Sequence, residues 1–466
     1  MEEKREYLVK GRIIENQFSR IYRLFIFLIL FLLSIIFEAA DITISLQKYN
    51  KIFGYFDEKP KTPYSRTGII LGNFLFIIIS QIENRKIVIF VCFLLNGILY
   101  FFSLTDAKWA FYTFRFLISV LKDIKDIFIP VWIDQFCRKK FKTVIIYIYL
   151  NKIVRNTLKL MIIIIMHSNE SVANTIILGG SVIIFDCLLL FFPNKYFSPK
   201  YNFIGYKDKE KEEFTKSENS EQSSYFENQE DNNIKTNEIG FLKTILNNKI
   251  YVFSILANVC YLIIYESILK YILNPEDYII FKQQTKSFLN YDIYSNIYFV
   301  SPFGTILGGI CLLFIGGYEK KNSSIFLSIC SIIIFFCLLI IDLPYNIFIL
   351  LFGLLMFFLF SEPLFIINKC IIINCIPNKY KGSGQALSVL SLNISAMVGP
   401  PFFEYLYKLF GNSFLLLIIH FILYILATIF CLYSSFYRYR NIENENEKAN
   451  RINNCKEKEL EDIEKL

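Results

Sequence analysis

The sequence predicts an all-α integral membrane protein with twelve transmembrane helices in two pseudo-symmetric six-helix halves. Hydrophobic residues make up 54% of the 466 positions, more than the roughly 45–50% of ordinary soluble domains, and the mean hydropathy is positive. The apolar residues are also gathered in blocks close to the roughly 20 residues with which a helix crosses a bilayer. A long polar segment divides these blocks into two sets of six.

The twelve predicted spans follow these blocks in order. They lie near residues 22–43, 67–82, 86–105, 108–133, 143–166 and 173–192, and then near 250–271, 293–316, 323–341, 345–374, 384–409 and 412–436. Residues 193–249 are rich in Lys, Glu, Asn and Ser and cannot bury enough apolar surface to fold alone. We therefore predict five parts: a cytoplasmic N-terminal tail (1–21), an N-terminal six-helix half (22–192), a disordered cytoplasmic linker (193–249), a C-terminal six-helix half (250–436) and a cytoplasmic C-terminal tail (437–466).

The orientation follows from the basic residues in the short connections. These residues recur at every second connection, in the N-terminal tail and near 85–86, 138–142, 320–321, 379–381 and 438–440, which predicts that this set is cytoplasmic. The connection 47–66 also carries five basic residues and departs from the pattern. The charged N-terminal segment is too long for the n-region of a signal peptide, so the first apolar block is expected to remain in the mature protein.

Cysteine and histidine usage limits the chemistry that can be expected. The 11 cysteines lie mostly within apolar blocks without a CxxC pattern, and the chain has only two histidines, His167 and His420. We expect no metal site, no cofactor and no nucleic-acid partner. The sequence also contains no recognisable catalytic motif, so we expect that the protein is not an enzyme.

The fourth and fifth spans contain charges that are costly inside a membrane. Each costs at least about 2.5–3.5 kcal/mol at the bilayer centre, so such residues usually face a bundle interior or water. The fourth span contains five of them, and in the fifth span Asn151, Arg155 and Lys159 lie at i, i+4 and i+8, on one helical face. Six basic residues (Arg115, Lys122, Lys125, Lys152, Arg155, Lys159) and three acidic ones (Asp123, Asp126, Asp134) leave surplus positive charge, which would attract an anionic group.

Further ionisable residues lie in other spans. Glu38 and Asp41 end the first span, Glu266 lies in the seventh, and Glu362 precedes Pro363 in the tenth, where proline frees a backbone carbonyl. The predicted substrate or cavity residues are Arg115, Lys122, Asp123, Asp126, Arg155, Lys159, Glu266 and Glu362. We expect Lys122 and Arg155 to face one water-accessible cavity. The alternative is that these charges form packing ion pairs or extend to the helix ends.

Several segments resemble the major facilitator superfamily and, within it, the spinster-like branch. Residues 80–88 (SQIENRKIV) resemble the loop between helices two and three of that superfamily. Asn84, Arg85 and Lys86 match its basic end, whereas Gln81 replaces its aspartate. Arg115 matches an arginine of the fourth helix in the spinster-like branch, and Pro130 lies where that branch has a proline. Leu121 and Lys122 replace the branch's glycine and glutamate.

The clearest match is residues 375–401 (CIPNKYKGSGQALSVLSLNISAMVGPP), which resemble the segment that opens helix eleven. The residues that carry this match are Lys381, Gly382, Ala386, Gly399 and Pro400. The glycines near 308–317 together with residues 319–321 resemble the second-half counterpart of the loop between helices two and three. The resemblance therefore covers residues of both halves, and its gating-loop candidates are Asn84, Arg85, Lys86, Lys381, Gly382, Gly399 and Pro400.

The resemblance implies a carrier whose central site, between the two halves, alternates its access between the two sides of the membrane. We expect a secondary active transporter of a small anionic, zwitterionic or lipid-like solute, with a coupling proton or ion as a further candidate partner. Two alternatives remain. One is a transport-inactive receptor or scaffold on the same fold, and the other is a multipass membrane enzyme.

Overall fold

The computed structural model describes most of the apolar blocks and leaves out most of the polar segments. The residues it describes are 21–41, 63–80, 85–103, 107–136, 140–165, 171–197, 241–273, 291–314, 320–342, 347–377, 380–410 and 418–441. The predicted linker is therefore represented only by its two ends. Of the connection 47–66, only residues 63–66 are described. Residues 1–20 and 442–466 of the two tails lie outside the described residues.

The described elements are helices. In chain order they are α1 (Ile21–Asp41), α2 (Pro63–Ile79), α3 (Arg85–Phe102), α4 (Lys108–Leu121), α5 (Ile124–Phe136), α6 (Lys140–Ile165), α7 (Ser171–Leu189), α8 (Phe241–Leu246), α9 (Lys249–Leu273), α10 (Tyr291–Phe314), α11 (Lys320–Asp342), α12 (Ile347–Cys375), α13 (Lys381–Phe410) and α14 (Ile418–Asn441). A single 3-10 turn, Asn194–Tyr196, follows α7. With α4 and α5 counted as one broken span and the short α8 set aside, these are six spans before the polar segment and six after it. The predicted twelve-helix, all-α fold is confirmed.

Seven of the described helices contain a stretch that is long and apolar enough to cross a membrane, namely α1, α3, α9, α11, α12, α13 and α14. Shorter apolar stretches lie in α2, α7 and α10. These helices leave large apolar side chains exposed, such as Ile78 (68%), Ile177 (63%) and Phe336 (57%). Such exposure is expected where lipid replaces water. The chain is thus an integral, multi-pass membrane protein.

The chain divides into two compact units. Unit 1 comprises residues 1–247 and 376–390, and unit 2 comprises residues 248–375 and 391–466. The first turns of α13 therefore pack with unit 1, although the rest of that helix belongs to unit 2. Within unit 1, α2 packs on α4 and α3 on α7, and within unit 2 both α10 and α11 pack on α12.

The crossing of α2 and α4 in unit 1 depends on two glycines. A Cβ atom on Gly68 would lie 2.7 Å from the carbonyl oxygen of Phe116, and one on Gly72 would lie 1.9 Å from that of Val120. Any side chain at Gly72 would therefore collide with the backbone of α4. Small residues spaced by four allow this close approach of two helices inside a membrane.

Unit 2 repeats this crossing between α10 and α12. A Cβ atom on Gly304 would lie 3.1 Å from the carbonyl oxygen of Leu355, and one on Gly308 would lie 2.2 Å from that of Leu359. In both units, two glycines four residues apart thus face two carbonyls four residues apart. This common register places Glu362, three residues after Leu359, at the position that Asp123 holds three residues after Val120.

The fourth span is broken, which the sequence did not predict. It was expected as one helix over 108–133, but α4 ends at Leu121 and α5 begins at Ile124, with Lys122 and Asp123 in a turn between them. Pro130 lies within α5 and cannot donate the helical hydrogen bond to Asp126. The freed carbonyl of Asp126 instead accepts a hydrogen bond from Gln385 Nε2 at 3.3 Å. The break in this span therefore coincides with its charged residues.

Candidate functional site

Polar and charged side chains of unit 1 come together where α1 ends and the fourth span is broken. Two of them come from the last turns of α1, one from α2, and the rest from α4, α5 and the break between them. We call them the broken-span cluster: Glu38, Asp41, Asn73, Arg115, Lys122, Asp123 and Lys125.

Asp41 bridges two cations of this cluster. Its Oδ1 accepts a hydrogen bond from Arg115 Nη1 at 3.0 Å, and its Oδ2 accepts one from Lys122 Nζ at 2.8 Å. Lys122 directly follows α4 and lies seven residues, about two helical turns, beyond Arg115, so the two side chains point to the same side. All three side chains remain 12–19% exposed. The bridge is therefore partly accessible.

A second ion pair lies deeper in the cluster. Lys125 Nζ bonds to Glu38 Oε1, and both side chains are almost fully buried. The same ammonium lies 5.7 Å from the centre of the Phe37 ring, a distance that allows a cation–π contact. Because neither group reaches solvent, each charge contributes to the stabilisation of the other.

The carboxylate at the helix break is held by an amide. Asn73 Nδ2 donates a hydrogen bond to Asp123 Oδ2 at 2.9 Å, and both residues are buried. Asn73 directly follows Gly72, whose lack of a side chain allows α2 to approach α4 at this level. The glycine crossing therefore also brings this donor to the break.

The first helix changes the charge balance expected from the sequence. Counting the fourth and fifth spans alone leaves surplus positive charge, but α1 contributes Glu38 and Asp41 to the same cluster. Three basic residues (Arg115, Lys122, Lys125) then meet three acidic residues (Glu38, Asp41, Asp123). The broken-span cluster is neutral as a whole.

The fifth span contributes polar residues beside α1. Ser34 Oγ donates to Asn151 Oδ1 at 3.1 Å, and Tyr147 Oη donates to Ser34 Oγ at 3.3 Å, so this part of α6 faces α1. Arg155 and Lys159 lie farther along α6, but their side chains are outside the described set. The shared cavity of Lys122 and Arg155 remains a prediction.

Asp126 and the two acidic candidates of unit 2 occupy different surroundings. Asp126 is half-buried near the start of α5. Glu266 is half-buried in α9, whereas Glu362 is 2% exposed in α12, directly before Pro363. Six residues farther along α12, Asn368 Nδ2 donates a buried hydrogen bond of 2.9 Å to Asn258 Oδ1, which joins α12 to α9.

Four of the seven gating-loop candidates lie at one end of unit 1, namely Arg85, Lys86, Lys381 and Gly382. Arg85 Nη1 donates to Gln135 Oε1. Lys86 Nζ donates to the carbonyl oxygens of Leu190 at 2.9 Å and Phe192 at 2.6 Å, just beyond the end of α7, where a cation is favourable. Asn84 lies outside the described residues.

The other two of these candidates open α13. Lys381 Nζ bonds to Asp134 Oδ2, and both side chains are buried. A Cβ atom on Gly382 would lie 2.8 Å from Ser80 Cβ, and Ser383 Oγ lies 2.9 Å from Ser80 Oγ. The start of α13 is thus tied to the ends of α2 and α5.

The remaining two candidates belong to unit 2. Pro400 lies within α13, and a Cβ atom on Gly399 would lie 2.9 Å from the carbonyl oxygen of Ile263 in α9. Gly399 is therefore a close-packing residue of α13 on α9. It is separate from the polar contacts at the start of α13.

The predicted site set omitted residues that the structure places among these groups. Glu38, Asp41 and Asn73 belong to the broken-span cluster, and Asn96 and Asp186 are fully buried in α3 and α7. The sequence could have identified these residues, because an acidic or amide side chain inside an apolar block is itself unusual. Across the described residues, no group of three His, Cys, Asp or Glu side chains is placed to hold a metal ion.

No family model and no curated protein sequence matches the chain. Among solved structures it is similar to the major facilitator superfamily transporter FucP in the outward conformation, with a TM-score of 0.61 and 10% identity over 88% of this chain and 98% of FucP. It is also similar to the proton:xylose symporter XylE (TM-score 0.59, 14% identity, 91% of this chain and 96% of XylE). A third is the human organic anion transporter MFSD10 (TM-score 0.58, 11% identity, 87% of this chain and 98% of MFSD10).

These similarities define the class of fold. The chain is a polytopic membrane protein with the twelve-helix fold of the major facilitator superfamily, as expected from its sequence. The similarity extends over nearly the full length of each of these transporters. At 10–14% identity the similarity shows the fold alone.

Proposed function

We propose that the chain is a secondary active transporter of a small solute with an anionic group, which Arg115 and Lys122 bind in place of Asp41. The observation that carries this proposal is the bridge that one carboxylate forms between these two cations at a break in a membrane span. Broken spans near the membrane midplane commonly form solute and ion sites in transporters. Alternating access of the two halves would then carry the solute across.

The chemistry of the bridge supports an exchange. A carboxylate or phosphate group on the solute presents the same acceptors as Asp41, and Arg binds such groups with particular strength. Two anions that share one pair of cations repel each other, so binding of the solute would displace Asp41. A carboxylate that leaves both of its cations inside a membrane is best accommodated by taking up a proton. The exchange would therefore link the solute to a proton.

The similar structures are compatible with this proposal but do not identify the solute. FucP is named as a fucose:proton symporter of E. coli, XylE as a proton:xylose symporter, and MFSD10 as an organic anion transporter. Proton coupling and anion transport therefore both occur on this fold.

The proposal is tested by uptake into liposomes that contain the purified full-length chain. The panel should include organic anions, amino acids, sugars, lysolipids and sphingoid bases, with and without an inward proton gradient. We expect an anionic or zwitterionic solute to enter, and the proton gradient to accelerate its entry. If no solute enters, the alternative of a transport-inactive receptor or scaffold is favoured, in keeping with the family aspartate and glutamate that Gln81 and Lys122 replace.

Variants then test the binding residues. Lys122→Gln and Arg115→Gln each leave Asp41 one cation, so both proteins should fold, and both should show a KM raised several-fold. Arg155→Gln tests the predicted cavity in the same way. Lys243→Gln and Arg440→Gln, at exposed positions, are matched controls and should behave as wild type. Unchanged KM values in all three cluster and cavity variants would place the binding site elsewhere.

A further inference from the structure

The packing of α3 on α7 encloses a carboxyl group that the proposed transport site does not use. The two helices approach closely, since a Cβ atom on Gly97 would lie 2.6 Å from Ile183 Cγ1 and 3.3 Å from the carbonyl oxygen of Gly179. Gly179, Ile183 and Asp186 are spaced by four and three residues, so they share one face of α7. Asp186 therefore lies on the face that α3 covers, and its exposure is 0%.

Within the described helices, Asp186 lacks the bonded partners that the acidic residues of the broken-span cluster and Asp134 of α5 have. Glu38 and Asp134 are each bonded to a lysine, Asp41 to two cations, and Asp123 to an amide. Neither carboxyl oxygen of Asp186 makes a hydrogen bond to any residue in the described part of the chain. An ionised carboxylate in such a place has no compensation for the loss of its water.

The groups that face Asp186 from α3 do not supply a positive charge. The thiol of Cys92 lies within its electrostatic reach, and the backbone of Leu94 lies close to its carboxyl group. Lys86, at the start of α3, directs its ammonium to the carbonyl oxygens of Leu190 and Phe192. The cation at this end of the interface is therefore already bound by the end of α7.

A second polar side chain in α3 is buried in the same unusual manner. Asn96 is 0% exposed, and neither its amide oxygen nor its amide nitrogen bonds to another of the described residues. It lies one turn beyond Cys92, on the same face of α3. Apolar packing alone requires neither Asn96 nor Asp186, and both are costly without partners.

We propose that Asp186 is a proton-binding site inside the membrane, and that its carboxyl group is uncharged while α3 and α7 are packed together. The ligand is a proton. The site is separate from the broken-span cluster, and the proposal does not depend on the transport function. Asp186 can release its proton only when the interface of α3 and α7 admits water.

Labelling with a hydrophobic carbodiimide tests the proposal in membranes that contain the full-length chain. This reagent reacts with the protonated acid: the acid proton moves to a reagent nitrogen, a carboxyl oxygen bonds to the central carbon, and the adduct rearranges to a stable N-acylurea. We expect peptide mass spectrometry to find several-fold more adduct at Asp186 than at Glu38 or Asp134, which are paired with lysines. Labelling confined to the paired carboxyls, or absent from Asp186, would overturn the proposal.

A variant provides an independent readout. Asp186→Asn replaces a protonated acid with an uncharged group of the same shape, so it should lose the adduct and keep the folded yield of wild type. The melting temperature of the wild type in detergent should fall more steeply than that of Asp186→Asn as the pH is raised, because only the wild type must ionise this buried group. Equal pH dependence of the two proteins would contradict the proposal, as would loss of folding in Asp186→Asn when Cys92→Ser, on the facing helix, folds normally.

Discussion

At the scale of single residues, the partners of the intramembrane charges decide what those charges can do. Lys122 and Lys125 are three residues apart in the sequence, yet their ion pairs differ in exposure and in the number of partners. Lys122 shares a partly exposed Asp41 with Arg115, whereas Lys125 and Glu38 form a closed pair. An anionic ligand can take the place of a carboxylate that is partly exposed and shared by two cations. A closed pair instead holds two helices in register.

The closed pair gives a prediction of stability. Removing one member, by Glu38→Gln or Lys125→Met, leaves a buried charge without its partner and should cost about 3–5 kcal/mol. The double variant removes both charges and should recover most of that loss. Thermal unfolding of the purified protein in detergent measures these differences. Lys122→Gln is the control, because Asp41 still has its ion pair with Arg115 in this variant. If Glu38→Gln and Lys125→Met are as stable as this control, the buried pair contributes little to stability.

At the scale of helices, glycine–carbonyl contacts determine how the spans cross. In unit 1 they join α2 to α4, and in unit 2 they join α10 to α12. Each crossing brings a buried carboxylate, Asp123 or Glu362, to the same position relative to the glycines. The two halves therefore share a packing register although their charges differ, since Leu354, Ser361 and Leu364 stand in α12 where the fourth span has Arg115, Lys122 and Lys125.

The crossing in unit 1 can be tested by one methyl group. Gly72→Ala would place its Cβ 1.9 Å from the carbonyl oxygen of Val120, so α2 must move away from α4, at a cost of about 1–3 kcal/mol. Gly180→Ala is the matched control, because its Cβ would meet nothing closer than Phe101 Cζ at 3.9 Å. The folded yield and the melting temperature should fall in the first variant and not in the second. If the two variants have equal folded yields and melting temperatures, α2 and α4 do not pack as closely as in the structure.

At the scale of the whole molecule, twelve spans and a polar segment after the sixth predict the side on which each end lies. An even number of spans returns the chain to its starting side, and the pattern of basic residues predicts that this side is cytoplasmic. Both termini and the segment 193–249 should therefore be cleaved by protease from the same side of sealed vesicles. Tags at the two ends and antibodies against the segment can report this cleavage. Cleavage of the segment and of the N-terminal tag from opposite sides would exclude this topology.

The sequence by itself determined the number of spans, the division into two sets of six and the span in which charge is concentrated. These features are local: hydropathy is read over about 20 consecutive residues, and a charge inside such a stretch is conspicuous wherever the stretch folds. Arg115 and Lys122 could therefore be identified as candidates without a structure, as could Glu362 beside Pro363.

Only the tertiary structure decided which charges meet. Asp41 bonds Arg115 and Lys122 across 74 and 81 positions of the sequence, and Lys381 bonds Asp134 across 247. Hydropathy carries no information about such distances, because any apolar span can pack beside any other. Contact between two spans depends on surface shape, here on Gly68 and Gly72 fitting against α4. The packing of α3 on α7 leaves Asp186 without a cation among the described residues, which no count of charges along the chain could have shown.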